Sequence, residues 1–172
     1  MSDREKVLFK KYVSKSVHYA EFGSGGSTLY VDKQPNILSC ISVESDPAFA
    51  DKIRSECKKS SVCHADIGAV SGWGYPADTT PSDKWLNYSK YDVGTPDTIL
   101  IDGRFRVACI LQSCLTHPNA VLMIHDFTNR PEYHCVLPYL NIIEVADTLV
   151  VATIQLNDSI HELYERYKFI TD

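Results

Sequence analysis

Several signals that would fix a function quickly are missing from this sequence. None of its six cysteines (Cys40, Cys57, Cys63, Cys109, Cys114, Cys135) belongs to a CxxC pair or a zinc-type spacing. Most lie in apolar segments, which predicts buried free thiols in a reducing compartment. No apolar run approaches the roughly 20 residues that span a bilayer. The opening MSDREKVLFKK lacks the apolar stretch of a secretory signal. Its 17 basic residues are scattered among 22 acidic ones, for a net charge of −5 and a pI of about 5.6. No Lys/Arg run could track a phosphate backbone, which argues against nucleic acid as the main partner. No repeat or low-complexity tract appears. The expectation is a soluble cytoplasmic protein with no membrane partner.

What is present is alternation. At 172 residues and 44% hydrophobic content, the chain can build one domain over residues 1–172. An amphipathic stretch from Arg4 to Ser16 precedes the short apolar run VHYAEFG. After the glycines, ILSCISVES reads as a strand and DPAFADKIRSECKK as a helix with Pro47 in its first turn. SVCHADIG and the nearly all-apolar DTILIDG read as strands three and four. RFRVACILQSCLTH is a helix stopped by Pro118, AVLMIHD is strand five, and RPEYHCVLPYL a further helix. IIEVADTLVVATIQ reads as two strands around a tight turn. The expected fold is α/β: a doubly wound, mostly parallel seven-stranded sheet ending in a C-terminal antiparallel β-hairpin. Residues 69–95, rich in Gly, Pro and aromatics, are too long for a plain connection and too aromatic for disorder. They predict an ordered cover, with Trp73 and Tyr75 as candidate substrate contacts; a satellite core is the alternative.

Ligands of open α/β sheets bind beyond the carboxyl ends of the strands. Here every such end carries a carboxylate: Glu21, Glu44, Asp66, Asp102 and Asp126, the last preceded by His125. Glu21-Phe22-Gly23-Ser24-Gly25-Gly26-Ser27-Thr28 supplies glycines that let backbone approach a ligand closely. Glu44 follows Gly23 by 21 residues (44 − 23), a separation suited to holding ribose hydroxyls. A dinucleotide fingerprint would want glycine at position 28, where Thr28 stands, and Glu21 would repel a pyrophosphate.

The set EFGSGGST, with an acidic end on strand two, Asp66 and the trailing hairpin, resembles the class I S-adenosylmethionine (SAM) dependent methyltransferases, from about Val17 to Gln155. LIDGRFRVAC and HDFTNRPEYH resemble small methyltransferase-like domains, some of whose relatives methylate sugar hydroxyls. The resemblance implies that Glu21 and the Gly23, Ser24, Gly25, Gly26, Ser27 and Thr28 loop hold the amino-acid end of SAM. It places Glu44 and Ser45 at the ribose, and Asp66 with Ile67 at the adenine edge.

Asp126 or His125 is the expected general base, with Asp102 holding the acceptor or the SAM amine. Arg104 and Arg106 open a helix where the macrodipole disfavours positive charge; at most one is expected to enter the site and pair with Asp126 or an acceptor oxygen, the alternative being a structural ion pair or solvent exposure. His134 reads either as site wall or as helix surface. Some related O-methyltransferases hold Mg²⁺ through carboxylates matching Asp102 and Asp126, but Phe127 stands where they often carry Asn or Asp, so a metal is not favoured.

No N/D-P-P-Y/F tetrapeptide follows strand four, which disfavours amino methylation of bases. The expectation is methylation of a hydroxyl on a small-molecule or glycan acceptor, with a sugar favoured. The alternative is a non-catalytic SAM-binding accessory domain of a larger protein, fused to or neighbouring a glycosyltransferase.

Overall fold

The computed structural model describes residues 1–171. Strands β1 (His18–Phe22), β2 (Ser39–Glu44), β3 (Ser61–His64), β4 (Thr98–Ile101), β5 (Val121–Ile124), β6 (Leu140–Ala146) and β7 (Leu149–Ile154) form one sheet in the order β3-β2-β1-β4-β5-β7-β6. The first five are parallel, and β7 runs antiparallel to both β5 and β6. Strand order reverses between β1 and β4, so the loops after these strands open the crevice in which such sheets bind ligands.

Helices α1 (Asp3–Val13), α2 (Gly26–Val31), α3 (Pro47–Glu56), α4 (Leu86–Ser89), α5 (Arg106–Thr116) and α6 (Ile160–Tyr167) cover the sheet. Ser2 starts α1 through a capping box: its hydroxyl accepts from the Glu5 N–H, and the Glu5 carboxylate accepts from the Ser2 N–H. Asp46 caps α3 by accepting from Ala48 and Phe49, with Pro47 pre-set for the first turn. None of the helices among the described residues is long and apolar enough to cross a membrane.

Both sheet faces are buried, and residue parity assigns each side chain to one of them. Ala20, Phe22, Ile99, Ile101, Leu122 and Ile124 pack with α5 and α6. Tyr19, Leu100, Met123 and Val151 pack with α1 and Val31. Helix α5 is buried nearly all round, from Val107 to Leu111 and again at Cys114. Truncating Leu111, fully buried there, would cost about 2–5 kcal/mol.

Three local readings need amendment. Residues Pro131–Tyr139 form 3-10 turns rather than an α-helix, and Pro138 within them lacks a backbone donor for any helical hydrogen bond. The segment 69–95 splits in two: Trp85 and Tyr88 are core residues, whereas Trp73 is 92% exposed and Tyr75 borders a cleft. Helix α6, which the sequence reading passed over, closes α5 with buried Ile160 and Tyr164. All six cysteines are free, three of them buried.

Candidate active site

The loops after β1 and β4 touch at two glycines. Gly23 has φ +101, and a Cβ on it would lie 2.7 Å from Gly103 Cα and N. A Cβ on Gly103 would lie 2.8 Å from Gly23 N and collide with the Tyr88 hydroxyl. Backbone therefore meets backbone at the crevice, and both positions exclude any side chain.

On each side of this crossing lies a cleft. The larger, about 640 Å³, is bordered by Glu44, Phe49, Trp73 and Tyr75 and by the charged groups Asp102, Arg104, Arg106, His125, Asp126 and Arg130, with Arg104 stacked on Tyr75. The second, about 450 Å³, lies between the 23–27 loop and α1, where Lys6, Phe9, Lys10 and Tyr30 join Gly25, Gly26 and Ser27. Gly23, Ser24 and Asp102 border both. Nothing lies within 4 Å of a Cβ built on Gly25 or Gly26, so the loop leaves open space above it.

Glu21 does not border either cleft. Its odd position in β1 turns it to the α1 face with Tyr19, where it is fully buried. The hydroxyls of Tyr19 (3.0 Å), Ser42 (2.8 Å) and Thr28 donate to its carboxylate. Burial raises its pKa despite these bonds. Thr28 also accepts from the Gly25 N–H at 2.8 Å. Glu21 and Thr28 thus brace the loop from beneath instead of touching what lies on it.

Glu44 stands at the cleft with Oε2 accepting from Ser24 N–H (3.1 Å) and Oε1 from Ser45 N–H (2.8 Å) and Asp46 N–H (3.0 Å). Ser45 fastens the aromatic segment by donating to Gly74 O at 2.8 Å. That segment is a small hairpin: Val70 bridges Pro76, Ser71 N–H donates to Tyr75 O (2.7 Å), and Ala77 N–H to Ala69 O (2.8 Å). Trp73 at its tip has φ +63, a conformation rarely adopted by a bulky side chain.

Asp66 and Ile67 border neither cleft. Asp66 turns away to bond Gly68 N–H and pair with Lys84 Nζ at 3.1 Å, and Ile67 is buried in the core. His134 also lies off the cleft, with Nε2 3.0 Å from Phe127 O and its ring against Phe127.

Asp102, His125, Asp126 and Arg106 form a tight charge cluster in the cleft wall. His125 Nδ1 lies 2.9 Å from Asp102 Oδ1, and Nε2 lies 3.3 Å from Glu5 Oε2. Burial works against protonation of His125, but Asp102, Asp126 and Glu5 outweigh it and raise its pKa. Arg106, only 3% exposed, reaches Asp126 Oδ2 (3.0 Å), Asp102 Oδ1 (3.3 Å) and the His125 carbonyl (2.7 Å). Burial would raise the pKa of Asp126, but charged His125 and Arg106 pull it below its ordinary value. Asp126 has φ +56, another sparsely populated backbone geometry at the site.

Glu5 is the residue that sequence reasoning missed. Its Oε1 accepts from Thr148 N–H (2.8 Å) and Oγ (2.5 Å), so it ties α1 to the β6–β7 turn as well as to His125. Burial alone would raise its pKa, yet the hydrogen bonds from Thr148 and Ser2 hold it at about 2. The capping box Ser2-x-x-Glu5 was legible, but its contact with His125, 120 residues away, was not.

Asp102, His125 and Asp126 offer ligand atoms within 4.8 Å of one another. The same two carboxylates already share the Arg106 guanidinium, which supplies the positive charge a metal would bring. A cation at this position would have to displace Arg106 from both carboxylates.

Comparison with solved structures agrees with this geometry. A methyltransferase-like protein of Silicibacter pomeroyi DSS-3 is 25% identical and superposes with a TM-score of 0.84, over 98% of this chain and 95% of that one. The fold is that of a class I methyltransferase. A TehB-like SAM-dependent methyltransferase of Corynebacterium glutamicum shares the architecture at 12% identity and a TM-score of 0.56, covering 90% of this chain and 89% of its own. A functionally unknown protein of Deinococcus radiodurans R1 does so at 15% identity and 0.53, with 84% of this chain spanning 63% of that one. No family model and no curated protein matches the chain.

Proposed function

We propose that this chain is a SAM-dependent methyltransferase acting on a hydroxyl of a small polar acceptor, with a sugar as the favoured class. The observation that carries the reading is the pair of clefts joined at Gly23, Ser24 and Asp102, one of them ending in the Asp102–His125–Asp126–Arg106 cluster. SAM is long and has three chemically distinct parts, and the joined clefts offer a partner for each. Glu44 suits the ribose hydroxyls, and Phe49 with Trp73 offers aromatic faces to the adenine. Asp102 suits the ammonium, while Lys6 and Lys10 suit the carboxylate.

The bound cofactor would supply a methyl group already activated by its sulfonium, so positioning provides much of the rate. A hydroxyl must also lose a proton. His125 faces carboxylates through both ring nitrogens, and these raise its pKa against the effect of burial, which favours Asp126 over it as base. Asp126, ionised and 26% exposed, takes that proton. Arg106 and His125 hold its carboxylate in one orientation. The sugar class rests on the resemblance of LIDGRFRVAC and HDFTNRPEYH to small domains some of whose relatives methylate sugar hydroxyls.

The test is transfer of label from methyl-labelled SAM to a panel of hydroxylated acceptors and their amino analogues. Label on hydroxyl compounds is expected. Transfer only to the amines, or to none while SAM binds, would overturn the reading.

A further inference from the structure

We propose that the hairpin at residues 70–76 is a strap across the cofactor cleft, fastened on its far side by Arg104 stacked on Tyr75, and that the cofactor enters and leaves only when this contact opens. The inference rests on the methyltransferase reading and makes Arg104 and Tyr75 positioning residues for the same site.

The strand order carries the inference. The hairpin follows β3 and Arg104 follows β4. In the order β3-β2-β1-β4 these two strands stand three spacings apart, about 14 Å. Yet Arg104 Cζ lies 4.1 Å from the Tyr75 ring centroid. The two loops therefore meet across the ends of β2 and β1, where Glu44, Gly23 and Ser24 border the same cleft. Partway across, Gly74 rests on the end of β2. Its carbonyl accepts from Ser45 Oγ at 2.8 Å, and a Cβ there would collide with the same hydroxyl.

The strap is closed within itself and lightly held. Ser71 N–H donates to Tyr75 O and Gly74 N–H to Ser71 O. Between residues 71 and 80 only Gly74 is buried, so lifting the segment exposes little apolar surface. At its root stands Gly68, with φ +93 and nothing within 4 Å of a built Cβ, a place where the chain can turn freely. The far side is fixed: the Arg104 backbone hydrogen-bonds the hydroxyl of Tyr88, which is fully buried. A guanidinium on an aromatic face holds the hairpin in place and parts more readily than a buried ion pair. Trp73 at the tip, 92% exposed, would be covered by a ligand in the cleft it borders.

The test is stopped-flow binding of S-adenosylhomocysteine (SAH), followed by Trp73 emission. The other tryptophan, Trp85, is buried in the core, and Trp73→Phe identifies the signal. SAH should shift the emission to the blue. Tyr75→Leu should raise the association and dissociation rates together, each about tenfold or more, while affinity changes about threefold or less. Tyr75→Phe keeps the ring and should match wild type. Arg104→Gln should act as Tyr75→Leu does, add nothing when combined with it, and serve if the first variant fails to fold. A rise in the dissociation rate alone overturns the inference, because Tyr75 would then be a plain wall contact. So do unchanged rates, or SAH binding that leaves Trp73 emission unaltered. If SAH does not bind, the methyltransferase reading fails instead, and amide relaxation dispersion on ligand-free protein still decides the strap. Millisecond exchange at residues 70–76, altered by Tyr75→Leu, is then expected, and a flat profile overturns it.

Discussion

Gly23 and Gly103 pass each other with backbone against backbone: a Cβ on the first would stand 2.7 Å from the Cα of the second. This crossing joins the ends of β1 and β4 and sets the ridge between the two clefts. Gly103→Ala must push the β4 loop away from Gly23 and from Tyr88. We expect a stability loss of roughly 1–3 kcal/mol and a loss of SAH binding larger than the stability change explains. Thermal unfolding and calorimetry check both, and wild-type values in each would remove the crossing from the account.

Glu21 is a brace, and its substitutions separate that role from direct ligand contact. Glu21→Ala leaves the hydroxyls of Tyr19, Ser42 and Thr28 without their shared acceptor, at about 1–3 kcal/mol for a buried unsatisfied group. Glu21→Gln keeps the shape and should retain most of the stability. If Glu21 instead bound the cofactor ammonium, Glu21→Gln would weaken SAH far more than 5′-methylthioadenosine with the fold intact.

These two residues also show what was legible in the sequence. The strand–helix alternation, the parallel order and the closing hairpin follow from apolar patterning, and the structure has all of them. Placing Glu21 required only parity: it shares a face with Tyr19, two residues earlier, and that face is covered by α1. Asp66 was harder, because a strand-end carboxylate reads the same whether it faces a ligand or a lysine such as Lys84. Glu5 could not be placed at all, since its partners Thr148 and His125 are more than a hundred residues away. Local pattern shows elements and capping; it does not show which distant side chains converge.

Acid should weaken the contact of α1 with the β6–β7 turn. Glu5 is held at about 2 against an ordinary 4.5, so its contribution is present above pH 4.5 and is lost as pH falls toward 2. That contribution is on the order of 3 kcal/mol. His125 acts in the opposite direction: its pKa is raised, so its share is full below about 6.5 and is lost as pH rises through the raised value. Glu5→Gln should therefore be less stable than wild type near neutrality, with the gap closing between pH 4.5 and 2 in urea unfolding. A gap independent of pH would contradict the assignment. The same variant should lower the His125 pKa measured by NMR.

Asp126→Asn should reduce methyl transfer by about 10²–10⁴, the usual range for a lost general base, while SAH affinity stays within about threefold. Equal rates in the two proteins would show that the proton goes elsewhere. Because Arg106 already bridges Asp102 and Asp126, EDTA should leave the rate unchanged. Inactivation by EDTA, reversed by a divalent ion, would mean that a cation displaces Arg106 from these carboxylates.

The central claim is that the joined clefts hold SAM, and the most direct measurement is calorimetric titration of the protein with SAH and with NAD, repeated in Glu44→Ala. The account predicts that SAH binds, that NAD does not compete with it, and that Glu44→Ala weakens SAH by about tenfold or more through the lost ribose contact. Binding of NAD tighter than SAH, or SAH affinity untouched by Glu44→Ala, would contradict it.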